Sequence, residues 1–328
     1  MNVLIGVVSY ASAWVMPRAF VEQIRCGFPH HVFLEAWDFD AIRRLIPEAD
    51  VAFVPQVDSA MLASAPRLRW IQAPAAGVAH MLSPEMVASP VVITSAKGVR
   101  ARAIAEHVLG IAIVLTRRFD TALRRQFEHK WAQDELEGET TEIVTLKDRR
   151  LGIIGLGSIG SEVARLAAAF GLRVSAVRRR IDQPCPPAVE AVFPADRLGD
   201  LLAASDIVVL CAAQTASTER LIGARELAQM RPGTLFINVA RGTLVDDDAL
   251  VAALRSGHLG GAGLDVFTRE PLDPDSPYWD LPNVVVTPHT SGAMAAHWPA
   301  LVELFSENLR RFDAGQPLLN VVDKAAGY

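Results

Sequence analysis

Cysteine is scarce. The 328 residues hold three, Cys26, Cys185 and Cys211, an odd and widely spaced set that makes neither a disulfide framework nor a Cys-x-x-Cys metal ligand pair. A reducing, cytoplasmic setting is the expectation, with no metal site. Clustered positive charge is also missing: no Lys/Arg block exceeds the three arginines at 178–180, the net charge is −5 and the pI is near 5.9. That leaves no electrostatic footprint for a nucleic acid, and a small charged metabolite is the better partner. Long hydrophobic runs are lacking too. The N-terminal MNVLIGVVSYASAW has no basic residue ahead of its apolar stretch, and the run from Ile104 to Leu115 is broken by Glu106 and His107. Neither a signal peptide nor a membrane span is expected.

What the chain does have is core material, 51% hydrophobic residues against 21% charged, at a length that favours two domains over one. Short β-branched runs (VLIGVV at 3–8, HVFLEA at 31–36, VAFV at 51–54, LRWIQA at 68–73, VVIT at 91–94) recur between helical stretches, the pattern of parallel βα units. A long helix with a period near 3.6 is expected from Arg100 to about Arg118, bridging two domains. An acidic stretch, 132–142, separates it from a second series of six strands: LGIIG, LRVSAV, DIVVLC, TLFINV, GAGLDV and NVVVTP. Six strands in series suit a doubly wound sheet. A last helix, roughly Ala295 to Phe312, and the tail GQPLLNVVDKAAGY are expected to return to the first domain.

The segment LGIIGLGSIGSEVARLAAAF places Gly155, Gly157 and Gly160 in G-x-G-x-x-G spacing between an apolar strand and an amphipathic helix. The first glycine allows a tight turn, the second a close approach to a pyrophosphate, and the third close helix-to-strand packing, with free helix N–H groups facing the anion. Leu156, Ser158 and Ile159 complete this loop. The following strand ends in Arg178, Arg179 and Arg180, with no acid before Asp182 where an NAD enzyme carries one for the ribose 2′-hydroxyl. Arg178 and Arg179 can instead pair with a 2′-phosphate, which favours NADP over NAD; a solvated basic loop is the alternative.

From Leu151 to His289 the chain resembles the nucleotide-binding domain of the D-isomer-specific 2-hydroxyacid dehydrogenases. The matching stretches include GLGSIG, DIVVLCAAQTASTERLIG, MRPGTLFINVARGTLVDDDAL, GAGLDVFTREPLDPDSPYWDLPNVVVTPH and the tail from NLRRFDAGQPLLNVV. APAAGVAH at 73–80 and TSAKGVRARAIAEHVLG at 94–110 resemble the family's substrate loop and linker helix. The resemblance implies two doubly wound α/β domains. A Rossmann nucleotide-binding domain (100–290) is inserted into a flavodoxin-like substrate domain (1–99), to which 291–328 return. It also implies a homodimer joined around residues 100–140.

Reducing a 2-keto acid needs a cation for the carboxylate, an acid for the oxygen, and a group that tunes that acid. Arg241, after TLFINVA, offers a planar guanidinium at a strand end facing the ligand crevice; a surface salt bridge is its bland alternative. His289, in TPHT, is the imidazole best placed to exchange a proton near neutrality. Glu270, in DVFTREP, is its partner by the resemblance, which thereby implies the full Arg, Glu and His set.

Asp265 corresponds to the family's acid near the nicotinamide carboxamide, though a structural role at the strand end fits its spacing equally. Thr215, Val239 and Ala240 match cofactor-contacting positions, and Ala76 and Gly77 match a loop whose amides hold the substrate carboxylate with Arg241 and His289. Two departures, Ala79 for an aspartate and Ala213 for a proline, bear on substrate preference. The expected chemistry is hydride transfer between NAD(P)H and a small 2-keto or 2-hydroxy acid, with glyoxylate or hydroxypyruvate as first guesses. The rivals are a non-catalytic nucleotide-binding sensor of the corepressor kind and a dehydrogenase of formate or phosphite.

Overall fold

The computed structural model describes residues 1–9, 14–138 and 143–327. In chain order the first elements are β1 (Asn2–Ile5), α1 (Arg18–Gly27), β2 (Val32–Glu35), α2 (Phe39–Leu45), β3 (Val51–Phe53), α3 (Ser59–Ser64), β4 (Trp70–Gln72), α4 (Pro84–Ala88) and β5 (Val92–Thr94). Then come α5 (Ala101–Thr116), α6 (Phe119–Phe127), α7 (Gln133–Leu136), β6 (Arg150–Ile154), α8 (Ser158–Ala169), β7 (Arg173–Val177), β8 (Ala191–Phe193), α9 (Leu198–Ala204) and β9 (Ile207–Leu210). The last are α10 (Ala224–Gln229), β10 (Thr234–Asn238), α11 (Asp247–Arg255), β11 (Leu259–Leu264), β12 (Val284–Val286) and α12 (His297–Asp313). They form two compact units, Met1–Val99 with Met294–Tyr328, and Arg100–Ala293.

The first unit holds a parallel sheet in the order β2-β1-β3-β4-β5, the flavodoxin-like doubly wound order. Strand alternation sends its side chains to two cores. Val3 and Ile5 join Phe53, Trp70 and Phe305 on the face covered by α1 and α12, while Leu4, Ala52 and Ile71 join Ile42, Met61 and Met86 on the other. The tail completes this unit: Thr94 and Val321 form an antiparallel bridge, and the Lys324 ammonium donates to the carbonyls of Met86 (2.9 Å), Ser89 (2.6 Å) and Val91 (3.0 Å).

The second unit carries a parallel sheet in the order β12-β11-β10-β9-β6-β7-β8, the Rossmann arrangement extended by one strand. Its strand order reverses between β6 and β9, so their carboxyl ends flank the ligand-binding crevice of such a sheet. The sheet has seven strands where the sequence pattern gives six. The extra one, β8, has only three residues behind the proline-rich 183–188 stretch, too short to show alternation. Helix α5 belongs wholly to this unit and buries Ala105, Val108, Ile111, Ala112 and Leu115 in its core. Of the acidic stretch at 132–142, residues 133–136 are helical, and 139–142 lie outside the described residues.

Candidate active site

Strand β6 ends at Gly155, whose φ of 99° only glycine adopts without strain, and a Cβ there would lie 2.7 Å from the Ala212 nitrogen. The turn is thus pressed onto the exit of β9. Gly160 lies equally close below it, since a Cβ there would meet the Gly155 carbonyl at 2.3 Å. Gly157 differs: it is exposed, with nothing within 4 Å of the position a Cβ would take.

Helices α2, α3 and α11 each start on an aspartate, Asp38, Asp58 and Asp246, that accepts a first-turn amide. Helix α8 starts on Gly157 with no side-chain cap. Its first amides therefore face open space, which fits a pyrophosphate. Around this loop Leu156 is buried, while Ser158 and Ile159 are half-buried. Val239 and Ala240 are buried at the end of β10, so they offer mainly backbone. The Thr215 hydroxyl bonds Ser217 Oγ at 3.0 Å and Thr218 Oγ1 at 3.2 Å.

The arginine turn after β7 is divided. Sequence reasoning pairs Arg178 with Arg179, but the Arg178 side chain is buried and its guanidinium donates to the carbonyls of Gln183 and, at 3.2 Å, Pro184. It closes the 178–184 loop on itself. Arg179 and Arg180 are exposed at this edge.

At the exits of β11 and β12, His289 Nδ1 lies 2.7 Å from Glu270 Oε2. The second carboxylate oxygen of Glu270 accepts the Phe267 amide at 3.0 Å, so the carboxylate is anchored from behind and aims at the ring. His289 itself sits at φ 54°, an uncommon conformation for a residue with a side chain, which the local structure enforces. Its amide donates to the carbonyls of Asp265 (2.9 Å) and Thr287 (3.0 Å).

The carboxylate of Asp265, 1% exposed, gathers the rest of the turn. It accepts the Thr287 hydroxyl at 2.6 Å, the Thr290 amide at 2.9 Å and the Ser291 amide at 3.0 Å. Thr287 in turn is bonded by His107 Nε2 of α5 at 3.2 Å. Burial lowers the pKa of His107, against an opposing pull from Asp265, so the ring is neutral near neutrality. Thr287, Thr290, Ser291 and His107 escaped sequence reasoning. Their only signal was polar residues beside a strand end and inside an apolar helix face.

Arg241 leaves β10 exposed, with Nη1 donating to the Ala240 carbonyl at 2.6 Å. The buried Asn238 shapes that exit, donating to the Arg241 carbonyl at 3.1 Å and accepting the Ala240 amide at 3.0 Å. Gly242 follows directly against the backbone of Phe267 and Thr268, where a Cβ would lie 1.9 Å from the Phe267 carbonyl carbon. The segments bearing Arg241 and Glu270 are therefore neighbours. Ala76 and Gly77 lie exposed in the loop after β4 of the first unit, a loop tied down by the Ala96 amide bonding the Ala75 carbonyl at 2.9 Å.

Residues 109–291 match the family model described as D-isomer specific 2-hydroxyacid dehydrogenase, NAD binding domain. The chain belongs to this family. It is 34% identical to the D-3-phosphoglycerate dehydrogenase of Mycobacterium tuberculosis over 88% of its own length and 54% of that protein, so it spans about half of that relative. A glyoxylate reductase from Korarchaeum cryptofilum is 33% identical, over 94% of this chain and 96% of that protein. A D-isomer specific 2-hydroxyacid dehydrogenase from Xanthobacter autotrophicus, solved with NADPH and MES, has a TM-score of 0.83 at 30% identity, covering 99% of both chains. The glycine loop, the Arg241 strand exit and the His289–Glu270 pair all lie at strand exits of one sheet.

Proposed function

We propose that the protein is an NADP(H)-using dehydrogenase that interconverts small 2-keto acids and their D-2-hydroxy acids. The 2.7 Å bond between His289 Nδ1 and Glu270 carries the reading, because it leaves Nε2 as the ring nitrogen free to exchange a proton. Arg241 holds the substrate carboxylate. Protonated His289 donates from Nε2 to the keto oxygen, and the Glu270 carboxylate stabilises the imidazolium before transfer. In the reverse direction neutral His289 accepts the hydroxyl proton. The cofactor, when bound, supplies or takes up the hydride at C2.

The α8 loop from Gly155 to Gly160 holds the pyrophosphate, and Arg179 meets the 2′-phosphate. Thr215 and the backbone of Val239 and Ala240 complete the cofactor's surroundings. Asp265 folds the turn that presents His289. The loop of Ala76 and Gly77 belongs to the first unit and the glycine loop before α8 to the second.

The same reading includes a homodimer. Phe119, Leu123 and Phe127 recur every four residues along α6, 48%, 50% and 80% exposed, and Trp131 beyond them is 92% exposed. Such an apolar stripe is unusual on a monomer surface and fits a second copy. No helix among the described residues is long and apolar enough to cross a membrane. Initial rates of NADPH and NADH oxidation with glyoxylate, hydroxypyruvate, pyruvate and phenylpyruvate test the activity. Cofactor binding without turnover on any acid would favour a nucleotide-sensing protein.

A further inference from the structure

His30 and His31, in the turn between α1 and β2, meet Asp313, the last residue of α12, although 282 positions separate His31 from it. Both imidazole Nε2 atoms lie against the same carboxylate oxygen, Asp313 Oδ2, at 3.2 Å from His30 and 2.9 Å from His31. All three ligand atoms fall within 4.8 Å of one another. The His31 side chain is 4% exposed, its ring nearly parallel to Phe28 at 6.1 Å and edge-on to Phe33 at 6.4 Å. The His30 ring lies 4.0 Å from that of His31 and opens to solvent.

Three physical features make this more than a surface hydrogen bond. Asp313 stands at the carboxyl end of a 17-residue helix, where the macrodipole repels an anion and favours a cation. The His31 Nδ1 is buried with no hydrogen-bond partner, so the hydrogen bonding of this ring is all at Nε2, against Asp313. Finally, ligand atoms about 2.0–2.1 Å from a tetrahedral ion stand roughly 3.3 Å apart. The two nitrogen-to-oxygen separations approach that spacing already.

We propose that His30, His31 and Asp313 bind a borderline divalent transition-metal cation, zinc being the simplest occupant, with solvent completing its coordination. The ligand set of two imidazoles and one carboxylate suits zinc, cobalt or nickel rather than calcium or magnesium. Its consequence is mechanical. The first unit is assembled from two distant stretches of sequence, and the ion clips the end of α12 to the turn that leads into β2. None of the three residues takes part in the proposed hydride or proton transfer.

The test uses the full chain freed of metal by a chelator. Zinc chloride is titrated calorimetrically and cobalt chloride by visible absorption, on the wild type and on His30→Ala, Asp313→Asn and His289→Ala. The proposal expects one zinc equivalent, a tetrahedral cobalt spectrum, and affinity weakened at least about tenfold in His30→Ala and in Asp313→Asn. His289→Ala should bind as the wild type does. Saturating zinc should raise Tm by about 3 °C or more in the wild type and not in those two variants, whose metal-free Tm reports that they still fold. Absence of binding up to millimolar zinc overturns the proposal, as does an equivalent retained in both ligand variants or lost in His289→Ala.

Discussion

Asp265 binds the turn that carries His289 from both sides: its backbone carbonyl accepts the His289 amide at 2.9 Å, and its carboxylate accepts the Thr290 amide at 2.9 Å. His289 is thus held at φ 54° by a buried acid one strand away, and its ring is held by a second acid, Glu270. Backbone and ring are positioned by different residues.

Breaking the first of these should loosen the site without removing its chemistry. Thr287→Val takes away the hydroxyl that donates to Asp265 at 2.6 Å, and should cost about 1–3 kcal/mol of stability, the price of a buried unsatisfied partner. Turnover should fall more than cofactor affinity does. Unchanged kcat with lowered Tm would leave Thr287 a purely structural residue. His107 adds a pH dependence. Its pKa is held below the ordinary imidazole value of 6.5 by burial, so its stabilising part is complete above that pH and lost as pH falls through the lowered value. The stability gap between the wild type and His107→Gln should therefore narrow on acidification below 6.5.

Two glycines of the same motif should respond in opposite ways. Gly157→Val meets nothing within 4 Å, so Tm should move by little while NADPH affinity, measured by fluorescence titration, drops at least about a hundredfold as the side chain blocks the α8 amides. Gly160→Val drives a Cβ to 2.3 Å from the Gly155 carbonyl and should destabilise the unit by several kcal/mol, about 1–3 or more. Equal loss of stability in both would contradict the open cradle at Gly157.

The arginines predict a second contrast. Arg179→Gln should shift preference from NADPH toward NADH by about tenfold in kcat/KM, the order of one charge-assisted contact. Arg178→Gln should leave the preference alone and lower stability, because its guanidinium holds the Gln183 and Pro184 carbonyls. Preference moving with Arg178 alone would reverse the assignment.

Phe127→Glu and Trp131→Glu place charge on the exposed stripe along and beyond α6, where the native side chains are 80% and 92% exposed. Sedimentation at micromolar concentration should show a dimer for the wild type and monomers for the double variant. A wild-type monomer would assign the stripe to another partner.

Much of this was legible in the sequence because it is periodic or punctuated. The βα alternation, the long α5 and the glycine spacing before α8 each rest on local rules of strand, helix and turn. What stayed hidden is non-local. Strand β8 is too short to alternate. The burial of Arg178 depends on a proline-containing loop folding back five and six residues on, which spacing does not show. The Asp265 network joins positions 22 to 26 residues apart that only adjacent strand exits bring together. The sequence pointed to His289 by its strand-end position and to Glu270 through resemblance, and their bond is a property of the folded loops.

The role proposed for His289, set by Glu270, is to pass the proton in reduction of a 2-keto acid, and NADPH oxidation with glyoxylate or hydroxypyruvate by the wild type, Glu270→Gln and His289→Ala addresses it most directly. The expected outcome is wild-type turnover, a loss of about 10²–10⁴ in kcat for His289→Ala with NADPH affinity retained, and a smaller loss with an altered pH profile for Glu270→Gln. His289→Ala turning over at the wild-type rate would contradict it.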